Sequence, residues 1–390
     1  DGLVGSFYGT AVAMNSEYLA VGSIGDGLPQ LKRSGSVYIY STDHWKLAQK
    51  ITPSNRGSNY QFGSAVAVAQ GSSTIVVGSP YAKKNIDGAV INCGVVHVFE
   101  LDSLLDLHVE IIELYPRDGG QYDEFGKAVA IVDDMIAVSA AYHDNGRGKV
   151  YIYHREDSVW QYISFLAADV DGLSYFGRSV AATKDMIAVS ALHGNNATER
   201  SSAFVFEKKS KDKDWMQVNH LTPSKGKLGD EYGISISLTT DMLVIGARYS
   251  SFNFDKSGAA YVYEIDSDLS WSETAILTPA DAIPFGFFGD TVAIGDGFVA
   301  VGCFGWKDTN TNYIVGAVYV MNRDSKGEWS ESSVILSSHG SNNDFFSKAL
   351  ATSGKIVAVG AAGDDINNLN SGSAFHFDMT SSFHSSRYED

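Results

Sequence analysis

The sequence predicts an all-β chain folded as a seven-bladed β-propeller of four-stranded antiparallel blades. Three observations carry that reading. An aromatic-Gly pair followed by alternating apolar residues recurs seven times along the chain, degraded in the last copy. Each copy holds runs of strand length bounded by Gly, Asn, Asp, Ser or Pro. No stretch keeps the 3.6-residue apolar period of a helix, so almost no helix is expected. A four-stranded sheet cannot bury two apolar faces alone, whereas seven packed face to face in a ring can.

Residues 125–153 justify the elements in order. The pair Phe125-Gly126 opens strand one, and residues 128–131 are its apolar run. Asp133-Asp134 supplies a tight two-residue link, and residues 135–139 make an apolar second strand ending in small residues. A polar loop leads to strand three at 149–153, and 160–166 is strand four. Strands this apolar are those covered on both faces by neighbours. Lys184-Asp185 and Thr240-Asp241 are read as the same two-residue hairpin. Repeats start near residues 7, 62, 125, 176, 232, 288 and 346, and residues 1–378 read as one propeller. The seventh copy lacks a clear fourth strand. Either residues 383–387 of the tail 379–390 supply it or a segment ahead of Asp1 does, and the short lead at 2–6 favours the tail.

The pairs are Tyr8-Gly9, Phe62-Gly63, Phe125-Gly126, Phe176-Gly177, Tyr232-Gly233, Phe288-Gly289 and the degraded Phe346-Ser347. Strand two closes on Gly22-Ser23, Gly78-Ser79, Ser139-Ala140, Ser190-Ala191, Gly246-Ala247, Gly302-Cys303 and Gly360-Ala361. The aromatic suits the space between blades, and Gly or another small residue lets adjacent backbones approach. In register over nearly the whole chain, this pattern resembles the FG-GAP repeat, the blade unit of the integrin α-subunit headpiece and of many secreted proteins. The resemblance implies an extracellular or secreted interaction module of the kind used in cell adhesion. Integrin-like blades often bind calcium through an Asp-x-Asp-x-Asp-Gly run between strands one and two. Here that link is a few residues long, too short to wrap six to eight oxygens around an ion. The nearest lookalike, Asp169-Val170-Asp171-Gly172, lies between strands four and one. Asp169 and Asp171 are thus weak metal candidates; no cofactor is expected, and calcium is the one left open.

Composition narrows the partners. With 46 acidic against 29 basic side chains the net charge is -17. There is no concentrated basic patch for nucleic acid or an anionic membrane surface, and no run long enough to insert in a membrane. Cys93 and Cys303 fall in the second and sixth repeats, too far apart around a ring for a disulfide. Asn196-Ala197-Thr198 is the one glycosylation sequon, with Asn196 as acceptor.

Strand order places the two-to-three and four-to-one loops on one face. Long loops on a rigid scaffold are where propellers concentrate function. The two-to-three loops begin with Tyr81, Tyr142, His193, Arg248, Tyr249, Phe304 and Trp306. These residue types anchor interfaces and stack on sugars; they either rim the channel and grip a protein or glycan, or merely cap the blade tops. Self-assembly into a larger extracellular complex is a further expectation. The four-to-one loops carry Asp123-Glu124, Asp230-Glu231 and Asp344, which would serve a hydrolase or lyase as the alternative function. Their recurrence at one blade position points instead to a hydrogen-bonded turn. With no nucleophile elbow, phosphate loop or His-x-x-x-His spacing, no enzyme is expected.

Overall fold

The computed structural model of the protein describes residues 4–170, 173–193, 200–209, 214–266, 270–308, 311–337, 340–365 and 368–380. Within them the chain forms seven antiparallel blades in strand order one-two-three-four. Blade one is Tyr8–Met14, Tyr18–Ser23, Ser36–Ser41 and Lys46–Ile51. Blade three is Val129–Val132, Met135–Ala140, Lys149–Glu156 and Val159–Leu166. Blade seven is described in three strands, Phe346–Ser353, Ile356–Ala361 and Ser373–Asp378. The segment 383–387, expected as its outer strand, lies outside the described residues. Among the described residues the one helical element is a single turn, His143–Gly146, with left-handed φ at Asp144 and Asn145. None is a helix long and apolar enough to cross a membrane.

Each first strand packs against the first strands of both neighbouring blades, blade seven against blade one included, so the ring closes. That seam is built like the others. Gly5, Phe7 and Tyr8 donate their N–H groups to the carbonyls of Leu369, Asn370 and Ser371 at 2.9, 3.1 and 3.0 Å. Between blades one and two, Asn59, Gln61 and Phe62 donate to Lys32, Arg33 and Ser34 in the same way.

The core lies in strands two and three. Met135–Ala140 is buried along its whole length, whereas in Lys46–Ile51 only Ile51 is buried. Phe62, Phe125, Phe176, Phe288 and Phe346 are fully enclosed. Each meets a strand-three ring at an angle, as Phe125 meets Tyr151 at 5.4 Å, the geometry that ring quadrupoles favour. The glycine after the aromatic takes a left-handed φ, 92° at Gly63 and 89° at Gly126. Facing it, strand two must also be bare: a Cβ on Gly22 would collide with the Gly63 carbonyl oxygen one blade on. Where serine replaces the strand-two glycine, its Oγ is put to use. Ser139 Oγ accepts from the Ala128 N–H at 2.8 Å and Ser190 Oγ from the Ser179 N–H at 3.0 Å.

The link between strands one and two has two residues at Asp133-Asp134, as expected. In blades four and five the paired strands end at Ala182 and Leu238, and one more backbone bond, from the Thr183 N–H to the Met186 carbonyl and from the Thr239 N–H to the Met242 carbonyl, encloses the expected Lys184-Asp185 and Thr240-Asp241. The return bond is made by the side chain: Thr183 Oγ1 accepts from the Met186 N–H, and Thr239 Oγ1 from the Met242 N–H. The threonine hydroxyl stands in for one backbone acceptor of the hairpin.

Candidate functional site: the long-loop face

The residue before each aromatic-Gly pair builds this face. Phe7, Gln61, Glu124, Tyr175, Glu231, Phe287 and Phe345 all hold a left-handed φ between 50° and 58°. Bulky side chains seldom adopt that conformation. Its recurrence marks a turn imposed by the hydrogen bonds to the preceding blade. The residue one step earlier supports the turn in blades three, five and seven. Asp123 Oδ2 accepts from the Gly120 N–H at 2.7 Å, Asp230 Oδ2 from the Lys227 N–H at 2.9 Å, and Asp344 Oδ2 from the Ser341 N–H at 2.5 Å. Of the acids offered for hydrolysis, these three thus each close a turn in a separate blade, while Glu124 and Glu231 pair with Lys127 and Arg248.

The two loop sets meet here. Tyr142 and Tyr249 donate backbone N–H groups to the carbonyls of Asp123 and Asp230. Their side chains then touch the residues before the pairs. Tyr142 is 44% exposed and meets Tyr175 edge-on at 4.9 Å. Tyr249 meets Phe287 at 5.6 Å; Phe287 stacks on Phe304 at 4.8 Å; Phe304 meets Phe345 at 6.2 Å. Those four rings form a continuous aromatic arc across blades five, six and seven.

Cations fix the arc. The Arg248 guanidinium and the Lys256 ammonium each lie 4.8 Å from the Tyr249 ring, and Lys348 lies 4.2 Å from Phe304. Such contacts are worth about 0.5–2 kcal/mol each. Arg248 also donates from Nε to Glu231 at 2.6 Å and from a terminal nitrogen to Asp290 at 2.7 Å. Asp290, almost fully buried, takes Lys348 at 2.9 Å on its second oxygen. Burial pushes the Arg248 guanidinium down, but Asp290 and Glu231 outweigh it and hold the charge more firmly.

The other sequence-derived residues fall in different places. Tyr81 is half-buried with Lys127 5.8 Å from its ring, in blade two and apart from the arc. His193 ends strand two of blade four, its backbone paired with Leu173. Trp306 is half-buried: it packs against the core around Phe288 and Tyr319, and its Nε1–H donates to the exposed loop residue Asp281 at 3.2 Å. Asp169 is exposed, and Asp171 and Asn196 lie outside the described residues. Sequence reasoning missed Phe287, Phe345, Asp290, Lys256 and Lys348. A signal existed for the first two, since Phe7, Tyr175, Phe287 and Phe345 share one repeat phase.

A cleft of about 510 Å³ opens beside blade three, lined by Asp118, Asp123, His143, Arg147 and Lys149 among others. His143 Nδ1 is 2.7 Å from Asp123 Oδ2. Asp118 accepts from Lys149 Nζ at 2.6 Å and the Tyr151 hydroxyl at 2.8 Å. Burial raises the Asp118 carboxyl, yet those two donors bring it below the usual carboxylate range. Its polar groups pair among themselves, and no Ser, Thr or Cys nucleophile is among the residues lining it.

Comparison with known proteins agrees with this architecture. The FG-GAP repeat family model matches residues 1–40, 45–99, 109–153, 215–263, 271–321 and 329–377. No curated protein sequence matches the chain. Among solved structures, RRP9 WD40 repeats align with a TM-score of 0.56 at 11% identity, covering 91% of this chain and 88% of that one. A Lactobacillus plantarum protein aligns with a TM-score of 0.57 at 12% identity over 94% of both chains. At such identities the likeness concerns the fold alone.

Proposed function

The chain belongs to the FG-GAP repeat family, and from that premise we propose that it is a non-enzymatic interaction module whose long-loop face grips a protein partner. The observation that carries this reading is the arc Tyr249, Phe287, Phe304 and Phe345 with cations over its rings. Rigid aromatics beside Arg are the residues that supply most interface energy. A preformed arc also loses little side-chain entropy on binding. Propellers of this family are typically non-catalytic, and the loop acids Asp123, Asp230 and Asp344 close turns. By analogy with the family's secreted members, the module works outside the cell.

The test pairs protein-surface and glycan-array binding of the wild type with that of Phe304→Ala and Tyr249→Ala. Binding to a protein that both variants lose, with folding intact, supports the reading. Binding confined to glycans moves the arc to sugar recognition, and variants that bind like wild type sink it.

A second reading, a subunit of an extracellular assembly, draws on the outer strands of blades two and three. Leu107 and Ile111 are exposed there, beside Leu104 and Leu105 in the turn that precedes the strand, Leu104 at 94%, with Tyr162 and Phe165 on the adjoining blade. Concentration-dependent mass in light scattering, abolished by Leu104→Ser with Leu105→Ser, separates it from the first.

A further inference from the structure

We propose that His97, Glu110 and Glu113 form a site for one divalent first-row transition-metal ion such as Zn²⁺, set in the outer half of blade two. The repeat itself provides the comparison. One strand-three position carries Tyr38, Tyr151, Phe204, Tyr261, Tyr319 and Phe375 in the other six blades. Each ring leans on its own blade's opening aromatic, as Phe288 and Tyr319 do at 5.5 Å. His97 stands there in blade two and keeps that contact, 5.3 Å from Phe62. Packing alone is therefore satisfied by an aromatic ring and does not call for imidazole.

The residue directly across on strand four changes with it. It is Lys50, Phe165, His220, Ile276 or Val334 in the blades with a described fourth strand. In blade two it is Glu113. Glu110 repeats a common feature: its Oε2 accepts from the Ser54 N–H at 2.6 Å, as Glu273 and Glu331 accept from Ser224 and Ala280. Among the described residues, blade two alone has a histidine that meets this glutamate and a second carboxylate at once.

The geometry converges on a point. His97 is 1% exposed, and its Nδ1 lies 2.9 Å from Glu110 Oε1 and 3.9 Å from Glu113 Oε1. One ligand atom from each residue falls within 4.8 Å of the other two. Ligands about 2.0–2.2 Å from zinc sit roughly 3–3.5 Å apart, so a small inward shift of Glu113 completes the set. Each carboxylate also has its far oxygen held from outside, Glu110 by Ser54 and Glu113 by the ammonium of Lys84 on the hairpin strand Lys84–Ile86. Such supporting bonds orient metal ligands and leave the near oxygens free.

One near oxygen is conspicuous. Glu113 Oε1 is shut from solvent and accepts no hydrogen bond, an arrangement that costs free energy unless a cation takes the lone pairs. A nitrogen among the donors favours zinc and its neighbours over calcium, which takes oxygen alone.

The experiment strips the protein with a chelator and titrates it with Co²⁺ and then Zn²⁺. The expected result is one equivalent bound, visible Co²⁺ absorption bands, and a Tm that rises with Zn²⁺. His97→Phe installs the residue type of the other blades but takes the partner of Glu110 Oε1, so it should fold with a metal-free Tm lowered by a few degrees and lose both the bands and the Zn²⁺-dependent rise. Glu113→Gln, which keeps the shape, should weaken Zn²⁺ by about tenfold or more. Absence of stoichiometric binding overturns the proposal and leaves an ion-pair network closed by Lys84. Full Co²⁺ binding by folded His97→Phe or by Glu113→Gln overturns it too, placing the ion elsewhere on the acidic surface.

Discussion

Ser347 Oγ accepts a hydrogen bond from the Cys303 N–H, 3.0 Å away across the seam between blades six and seven. Ser347 occupies the position that is glycine in the other six blades, and it holds a φ of 80°. A left-handed backbone costs a residue with a Cβ roughly 1–2 kcal/mol. The bond returns about 1 kcal/mol and spares a buried donor from going unpaired, which costs roughly 1–3 kcal/mol. Ser347→Ala keeps the strain and loses the bond, so it should destabilise by about 1–3 kcal/mol in denaturant titration. Ser347→Gly trades bond against strain and should stay within about 1 kcal/mol of wild type. If alanine is as stable as glycine there, the bond contributes nothing.

Phe125→Ala tests the blade register. Phe125 is fully buried among Val76, Val96 and Val138 and meets Tyr151 and Tyr153. Its removal leaves a cavity between two blades that rigid sheets cannot collapse, and should cost about 3–5 kcal/mol. A loss below about 1 kcal/mol is incompatible with this ring lying between blades.

The fold was legible because its determinants are local and repeated. An aromatic that must fill an inter-blade gap and a glycine that must turn left-handed leave the same two letters at each blade, Phe62-Gly63 as much as Phe288-Gly289. The site was only half legible. Arg248 and Tyr249 were found because they open a loop, but Asp290, which accepts from Arg248, and Lys348, which donates to Asp290 in turn, lie on first strands of the next two blades, 42 and 100 residues on from Arg248. Only ring closure brings them together. Trp306 was found in the same way, but neither its packing against the core around Phe288 nor its bond to Asp281, 25 residues earlier, is visible in the loop's own sequence. The short links were legible too, but not that a threonine hydroxyl replaces one of their backbone acceptors, at Thr183 and Thr239.

That placement separates the substitutions. Phe304→Ala and Tyr249→Ala remove half-buried rings from the aromatic arc and should lower partner affinity by about 1–3 kcal/mol, the range of interface anchors. Their effect on Tm should be small. Trp306→Ala removes a half-buried ring packed against the core around Phe288, so it should lower stability by about 2 kcal/mol and leave affinity alone. Thermal melts run beside the binding assay decide it; a Trp306→Ala variant with normal Tm and lost binding would return that residue to the rim.

Asp344 should make stability depend on pH. Burial pushes its carboxyl up to about 6, against the two hydrogen bonds from Ser341, and Asp364 and Asp365 add repulsion. A folded-state value above the unfolded one, near 4, means that the folded protein holds the proton more tightly. The associated stability is fully present below about pH 4 and is lost as pH rises through about 6. Asp344→Asn stays neutral throughout; its carbonyl accepts from the Ser341 N–H and its amide donates to Ser341 Oγ. The Tm of this variant minus that of wild type should therefore increase between about pH 5 and pH 7.5. Asp230, also raised by burial, contributes equally to both proteins and drops out of the difference. A difference that is flat or falls over that range would place the Asp344 titration elsewhere and leave the carboxylate as an ordinary turn acceptor.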